Sequence, residues 1–431
     1  MKTEAELLTH IKRLSAIKSN KGIRFLSPAA DGIHCPLHMA SAMVKRIGGL
    51  SSLVVGTQEC ATYHNQPTGD PYGRNGGIHW SYVLDANEVV FGCREGLIDA
   101  LTEMDQAGAE IILVLVTCIP ELIGEDMQGV IYEIQPKLKA RLNFVPLAHF
   151  RCNGYAAGYY RTLAAITEFM EPQTKLQSSV NVIGHMHRGV LTSPLASFLQ
   201  SKGISIRILG EQGQYVRDFL QAPDAALNIL LSPDGGSFAR QMEKQFGIPY
   251  VSLHDMYKME DIDDAFSKIT DHLGLSYAEL QLLYEAERNA LIELHLIAKE
   301  RLSGIRYLSL DSSYDPIPLS VYLSTFNMTP LLLHVEEFYE EDKQWSSQLR
   351  ALGHDPWIGY SVNAASEAPI YEALQPDFCL GSLTHAKNKI PHTNHLRSIY
   401  SQYGYGRSLF LLKQILQSLE ISNNPKLGER G

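Results

Sequence analysis

Short runs of Val, Ile and Leu alternate along this chain with amphipathic segments. The runs are Leu53–Val55, Ile111–Val116, Val180–Ile183, Ser205–Leu209, Leu227–Leu231, Tyr250–Ser252, Arg306–Leu310, Pro330–His334 and Phe378–Leu380. They carry little polar alternation, as strands covered on both faces do. Helical periodicity marks Pro36–Arg46, Arg94–Asp105, Ala156–Phe169, Pro194–Ser201, Ser237–Phe246 and Asp261–Leu273, with a longer helix from Tyr277 to Leu302. Gly203 and Gly247 stand where helix C-terminal glycines belong. Met1–Asn20 reads as an amphipathic helix rather than a signal peptide, because its apolar residues are spaced and acidic ones intervene.

Alternating β and α elements with short loops predict an α/β fold. The expected architecture is three doubly wound, mostly parallel Rossmann-like α/β domains around a shared cleft. The polar stretch Glu171–Ser179 and the end of the long helix near Leu302 divide the chain into residues 1–175, 176–303 and 304–431. The last of these ends in a polar tail, Ser422–Gly431, expected to be loosely ordered. In such sheets ligands bind beyond the carboxyl ends of the strands, so chemistry is sought there.

Composition narrows the class. Apolar residues make up 45% and charged residues 19%, an ordinary globular balance. A net charge of −10 argues against a nucleic-acid binder. No stretch approaches the roughly 18 uninterrupted apolar residues of a membrane span. The expectation is a cytoplasmic protein with no membrane or nucleic-acid partner.

Five of the six cysteines fall within the first 152 residues. In a reducing compartment such thiols point to a metal or catalytic site rather than disulfides. Buried free cysteines are also common as small hydrophobes, and Cys93, Cys152 and Cys379 are read that way. Cys35, Cys60 and Cys118 differ in setting. Cys35 directly precedes a helix at Cys35-Pro-Leu. Cys60 follows a strand in Gly56-Thr-Gln-Glu-Cys60, and Cys118 follows the strongest strand in Thr117-Cys-Ile-Pro-Glu121. Strand ends and helix starts offer backbone N–H groups and a positive field, which favour the metal-binding thiolate. The three are too far apart in sequence for a local zinc knuckle. They suit a site assembled in space, and a four-iron cluster would need a fourth ligand from elsewhere.

The first 130 residues resemble the nitrogenase component 1 family. The resemblance rests on Cys35-Pro-Leu, Val55-Gly-Thr-Gln-Glu-Cys60, Asn87-Glu-Val-Val-Phe-Gly92 and Thr117-Cys-Ile-Pro-Glu-Leu-Ile-Gly-Glu-Asp126, in that order. It continues more thinly through Asn181-Val-Ile-Gly184, Met242–Tyr250, Pro376–Ser382 and Lys389-Ile-Pro391. It implies that Cys35, Cys60 and Cys118 hold an iron-sulfur cluster, P-cluster-like with eight irons or a four-iron one, shared with a partner subunit. It further implies a sister α-like component 1 subunit, a heterotetramer of two such pairs, and electrons supplied by an ATP-dependent iron protein. This chain lacks a P-loop lysine pattern around Gly73–Gly77, so ATP chemistry falls to that partner.

The segment Leu230-Leu-Ser-Pro-Asp-Gly-Gly236 has no cysteine where a cofactor-holding α-subunit has one. A β-like role is therefore expected. His395 is the best single candidate cofactor ligand, with His385 and His392 beside it, although loop histidines at a polar surface read equally simply. His34 and His38 flank Cys35 and either hydrogen-bond cluster sulfurs or are solvated. Cys93 is a possible extra ligand, Glu59 a possible charge partner or helix cap, and the loop Tyr63–Trp80 a possible docking surface or plain turn. The substrate expectation is a nitrogenase-like reductase cleaving carbon–sulfur bonds, a methylthio-alkane reductase. A cofactor-assembly scaffold and a tetrapyrrole or dinitrogen reductase are the alternatives.

Overall fold

The structure is a computed structural model. It describes residues 11–23, 35–65, 76–184, 190–210, 214–311, 314–360, 368–381, 390–393, 396, 398–399 and 402–423.

The strands begin with the two-residue β1 (Lys12–Arg13) and β2 (Ile47–Gly48). Then come β3 (Ser51–Gly56), β4 (His79–Val83), β5 (Ile111–Val116) and β6 (Arg141–Pro146). The middle of the chain gives β7 (Leu176–Ile183), β8 (Ser205–Leu209), β9 (Gln214–Tyr215), β10 (Ala225–Leu230) and β11 (Tyr250–Ser252). The last are β12 (Arg306–Ser309), β13 (Thr329–Val335), β14 (Trp357–Tyr360) and β15 (Phe378–Leu380).

Three larger sheets result, ordered β4-β3-β5-β6, β11-β10-β7-β8 and β1-β14-β13-β12-β15. Pairing within the first is parallel throughout. The α/β class with parallel sheets is as expected. The chain divides into two compact units, one of residues 32–186 with 204–250, the other of residues 1–31, 187–203 and 251–431.

The first sheet shows why its sequence folds this way. Every residue of β3 and β5 is buried, so β5 reads as an unbroken apolar run and β3 as one after its two leading serines. Leu113 and Leu115 face one core with Val54, while Val114 and Val116 face another with Leu53 and Val55. The flanking strands β4 and β6 are only partly buried and carry His, Ser, Arg and Asn. Edge positions tolerate such residues, which is why apolar patterning does not reveal them.

The helices of this unit include α1 (Pro36–Val44), α2 (Gln58–Asn65), α3 (Ala86–Phe91) and α4 (Arg94–Gln106). They continue with α5 (Cys118–Ile123), α6 (Met127–Ile134) and α7 (Ala156–Thr167). Helices α1 and α7 lie tightly together at Gly158, where an added Cβ would sit 2.1 Å from the Pro36 carbonyl oxygen. A buried polar chain ties α1 to α2. The Ser41 hydroxyl and His64 Nδ1 are 2.7 Å apart, and the Lys45 ammonium donates to the His64 carbonyl at 2.5 Å. Burial, then the nearby Lys45 and His79, pushes the His64 imidazole down to about 3. Burial likewise lowers Lys45 to about 8.

Two expectations are corrected. Residues 12–16 form β1 and a 3-10 turn instead of continuing a helix. Tertiary partners override the local pattern here: β1 pairs antiparallel with β14, Arg13 stacks 3.9 Å over Trp357, and Asp355 accepts from the Ser15 N–H and hydroxyl. The long helix is two, Tyr277–Leu283 and Glu285–Arg301. At the break, buried Tyr284 stacks on Phe266 at 4.8 Å, and its hydroxyl accepts from the Leu195 N–H at 3.1 Å. Gly247 does end its helix, with φ of 66°.

Leu113 is fully buried, so Leu113→Ala is expected to cost about 2–5 kcal/mol in urea unfolding. His64 gives a pH test. The unfolded chain protonates it below about 6.5, while the folded chain keeps it neutral down to about 3. Its contribution to stability is therefore lost as pH falls through that window. His64→Gln should flatten the acid limb of the urea midpoint against pH, relative to wild type.

Candidate metal centre

In the first sheet the order β4-β3-β5-β6 changes direction between β3 and β5, the switch point at which doubly wound sheets open a crevice. Cys60 lies in α2 just beyond the carboxyl end of β3, and Cys118 opens α5 beyond the carboxyl end of β5. Cys35 is the N-cap of α1.

The three thiols are near enough to share an electrostatic environment. Burial pushes Cys35 up from its ordinary value, and the charges of Cys118 and Cys60 push the same way, while N–H groups of Leu37 and His38 oppose them. Cys118 is also raised, first by burial, with Cys60 and Glu121 adding to it and the His149 N–H opposing. The helix-start N–H groups thus exist as the sequence implies, but desolvation outweighs them, so these thiols do not favour the thiolate on their own. Like charges gathered in a half-buried place are what a cation stabilises. Among the described residues, no three His, Cys, Asp or Glu side chains stand close enough to grip a single ion. A cluster of several irons offers separate irons to separate thiolates. An all-sulfur donor set is the kind that iron-sulfur clusters take.

Close backbone approach holds the sulfurs together. The Thr117 hydroxyl donates to the Val55 carbonyl at 2.8 Å across the strand ends. A Cβ on Gly56 would lie 2.1 Å from that hydroxyl and 3.2 Å from the Cys60 Cβ, so only glycine fits. The Thr57 hydroxyl points at the Cys60 sulfur at 3.7 Å. Exposed Glu59 has its carboxyl lowered by a hydrogen bond from Thr57.

Other expected residues fall elsewhere. Cys93 is buried in the opposite core, and burial and then Glu125 push its thiol up to about 12. Glu125 accepts the Cys93 N–H at 2.9 Å, and Asp126 accepts from the Gly129 N–H as N-cap of α6. The His38 ring lies 5.4 Å from that of Tyr63 and 5.7 Å from that of Tyr155. His392 is exposed, and its Nδ1 is 3.0 Å from the Ile390 carbonyl oxygen. His395, His385, His34 and most of the loop Tyr63–Trp80 lie outside the described residues.

Sequence reasoning passes over His149 and Glu121. His149 Nδ1 is 2.9 Å from the Cys118 sulfur. His149 sits just past the carboxyl end of β6, where a ligand-edge residue belongs, but the polar interruptions of that strand hide it from apolar patterning.

Gly56→Ala is expected to dislodge Thr117 and cost about 1–3 kcal/mol in denaturant unfolding. Adding Thr117→Ala removes the clashing hydroxyl, so the double variant should be more stable than the sum of the two single losses.

The chain matches the family described as Nitrogenase component 1 type Oxidoreductase over residues 35–420. It is 28% identical over 233 residues to the nitrogenase iron-molybdenum cofactor biosynthesis protein NifE of Clostridium pasteurianum, covering 52% of this chain and 50% of that protein. It is 25% identical over 190 residues to a light-independent protochlorophyllide reductase subunit of Pyropia yezoensis, covering 40% of this chain and 37% of that protein. The matched region thus spans half or less of these curated relatives. A solved structure titled Nitrogenase Cp1 at pH 6.5 superposes with a TM-score of 0.71 at 16% identity, covering 93% of this chain and 95% of that one, a likeness of fold. Since the family match reaches from Cys35 through most of the chain, this protein belongs to the nitrogenase component 1 type oxidoreductases.

Proposed function

We propose that this chain is the β-like member of a nitrogenase-like reductase, and that Cys35, Cys60 and Cys118 hold one side of an iron-sulfur cluster shared with a sister subunit. The observation that carries the reading is the gathering of three cysteines at the switch point of the first sheet, near enough that thiolates at Cys118 and Cys60 would repel one at Cys35. When bound, such a cluster carries single electrons supplied by an ATP-dependent iron protein. This chain's own part is to hold three sulfurs, to dry them partly by burial, and to aim backbone N–H groups at two of them.

A partner-covered edge is part of the reading. Helix α3 has no buried residue, and Val90 is 70% exposed and Phe91 84%. They stand beside α5, where Leu122 is 69% exposed. Apolar surface of this kind beside the thiols is typical of surface that another protein covers. The reading includes a cytoplasmic heterotetramer with an α-like sister. Among the described residues no helix is long and apolar enough to cross a membrane. It also assigns one larger sheet to each of residues 1–175, 176–303 and 304–431, with β1 added to the last sheet from the first segment. His395 stays a proposed cofactor ligand of the third segment.

The substrate has three contenders. Carbon–sulfur reduction of a methylthio-alkane stands on the local settings of Cys35 and Cys60. The likeness to a NifE protein favours a cofactor-assembly scaffold, and that to a protochlorophyllide reductase favours a tetrapyrrole. The test is anaerobic co-purification with the sister chain and the iron protein. Turnover of a methylthio-alkane that requires both ATP and reductant is expected. Turnover of protochlorophyllide instead would replace the substrate, and transfer of a metal cofactor without turnover would make the chain a scaffold. Cys118→Ala should lose most of the bound iron and its paramagnetic resonance signal. Unchanged iron in that variant would defeat the ligand assignment.

A further inference from the structure

We infer that His149 donates its ring N–H to the Cys118 sulfur and thereby raises the reduction potential of the bound cluster, with Glu121 holding His149 in position. This rests on the cluster-binding reading above. The path of the chain makes the contact. Beyond β6, the Leu147 N–H donates to the Val116 carbonyl at 2.8 Å, which continues the β5–β6 ladder to the residue before Thr117. The chain then turns through a 3-10 segment, His149–Arg151, directly over the start of α5.

Glu121, three residues after Cys118, fastens that turn. Its side chain is 8% exposed. One carboxylate oxygen accepts from the Ala148 N–H at 2.7 Å. The other is 3.2 Å from Arg151 Nε, an ion pair by distance without hydrogen-bond alignment. His149, the first of the two residues between these anchors, is thereby presented to Cys118 twice, through its backbone N–H and through Nδ1 at 2.9 Å from Sγ.

The direction of the hydrogen bond follows from chemistry. An iron-bound thiolate has lone pairs and no proton, so the hydrogen between Nδ1 and Sγ belongs to the ring. Donation to a cluster sulfur stabilises the electron-rich reduced state, and its loss makes reduction harder. Among the described residues the other two sulfurs lack a ring donor of this kind. Cys60 has the Thr57 hydroxyl at 3.7 Å, and Cys35 has backbone N–H groups. His149 is therefore a positioning and tuning residue for the Cys118 side of the site.

The test uses the protein purified with its sister chain under anaerobic conditions. Iron content is measured first, then the midpoint potential by redox titration followed by electron paramagnetic resonance. His149→Phe should keep its iron and titrate at a more negative potential. A tenfold loss in the reduced-to-oxidised ratio at fixed potential corresponds to about 59 mV for one electron. His149→Asn, whose amide nitrogen stands as far from the backbone as Nδ1 does, should restore much of the shift. Glu121→Ala should shift the potential more negatively in the wild-type background than in His149→Phe, because the direct loss of its charge is common to both and only the first has a ring to misplace. An unchanged midpoint in His149→Phe overturns the inference, as does iron loss in both His149 variants, which would make the ring a ligand. Wild-type protein without iron would instead bring down the cluster-binding reading itself, so the two failures are separable.

Discussion

The carboxyl ends of β3 and β5 meet through Gly56 and Thr117, and the arrangement around the thiols depends on that approach. The strands are adjacent because both are apolar on both faces and take the middle of the sheet. Adjacency alone would leave their trailing loops free to diverge. The Thr117 hydroxyl bound to the Val55 carbonyl, in space that only a glycine leaves open, brings the start of α5 against the start of α2. Cys60 and Cys118 are carried on those two starts. The third sulfur arrives on α1, which is docked to α7 at Gly158 and tied to α2 through Ser41 and His64.

That geometry has an electrostatic cost. Cys35 and Cys118 are partly stripped of water, and each would repel a neighbouring thiolate. A protein interested only in stability would place alanine or serine there. The conflict is local and is surrounded by consistent structure: two continuous cores, a capped α6, and a satisfied Glu125. Titratable groups perturbed at one strand edge within an otherwise well-ordered unit are a common mark of functional sites.

Much of this is legible from residue order, and the exceptions have physical reasons. The central strands announce themselves because burial on both faces demands unbroken Val, Ile and Leu. Strands β4, β6 and β14 stay hidden because polar or aromatic residues interrupt them, and overlooking β6 conceals His149 with it. The break at Tyr284 is invisible for a different reason. Its cause is a hydroxyl reaching a backbone N–H some ninety positions away, a contact that helical periodicity does not encode. The amino-terminal segment misleads in the opposite sense. Its spacing suits a helix, yet Trp357 and Asp355 offer residues 12–16 better partners as a strand and a turn. The candidate cysteines are proposed from their place after strands and before helices, while the upward direction in which burial moves Cys35 and Cys118 is not legible there, since desolvation depends on what folds over them.

The antiparallel seat of β1 against β14 bears on more than local topology. A parallel sheet ends in a row of unpaired amide groups, a ready template for strands of other molecules. Two residues, Lys12 and Arg13, occupy that row here, and both are exposed and cationic. The pair acts as a flank guard: it is too short to recruit a further strand and its charge repels copies of itself. Open-ended fibrous growth of the third sheet on that side is thereby disfavoured by two exposed residues, which buried Ile11 and Leu14 anchor from either side.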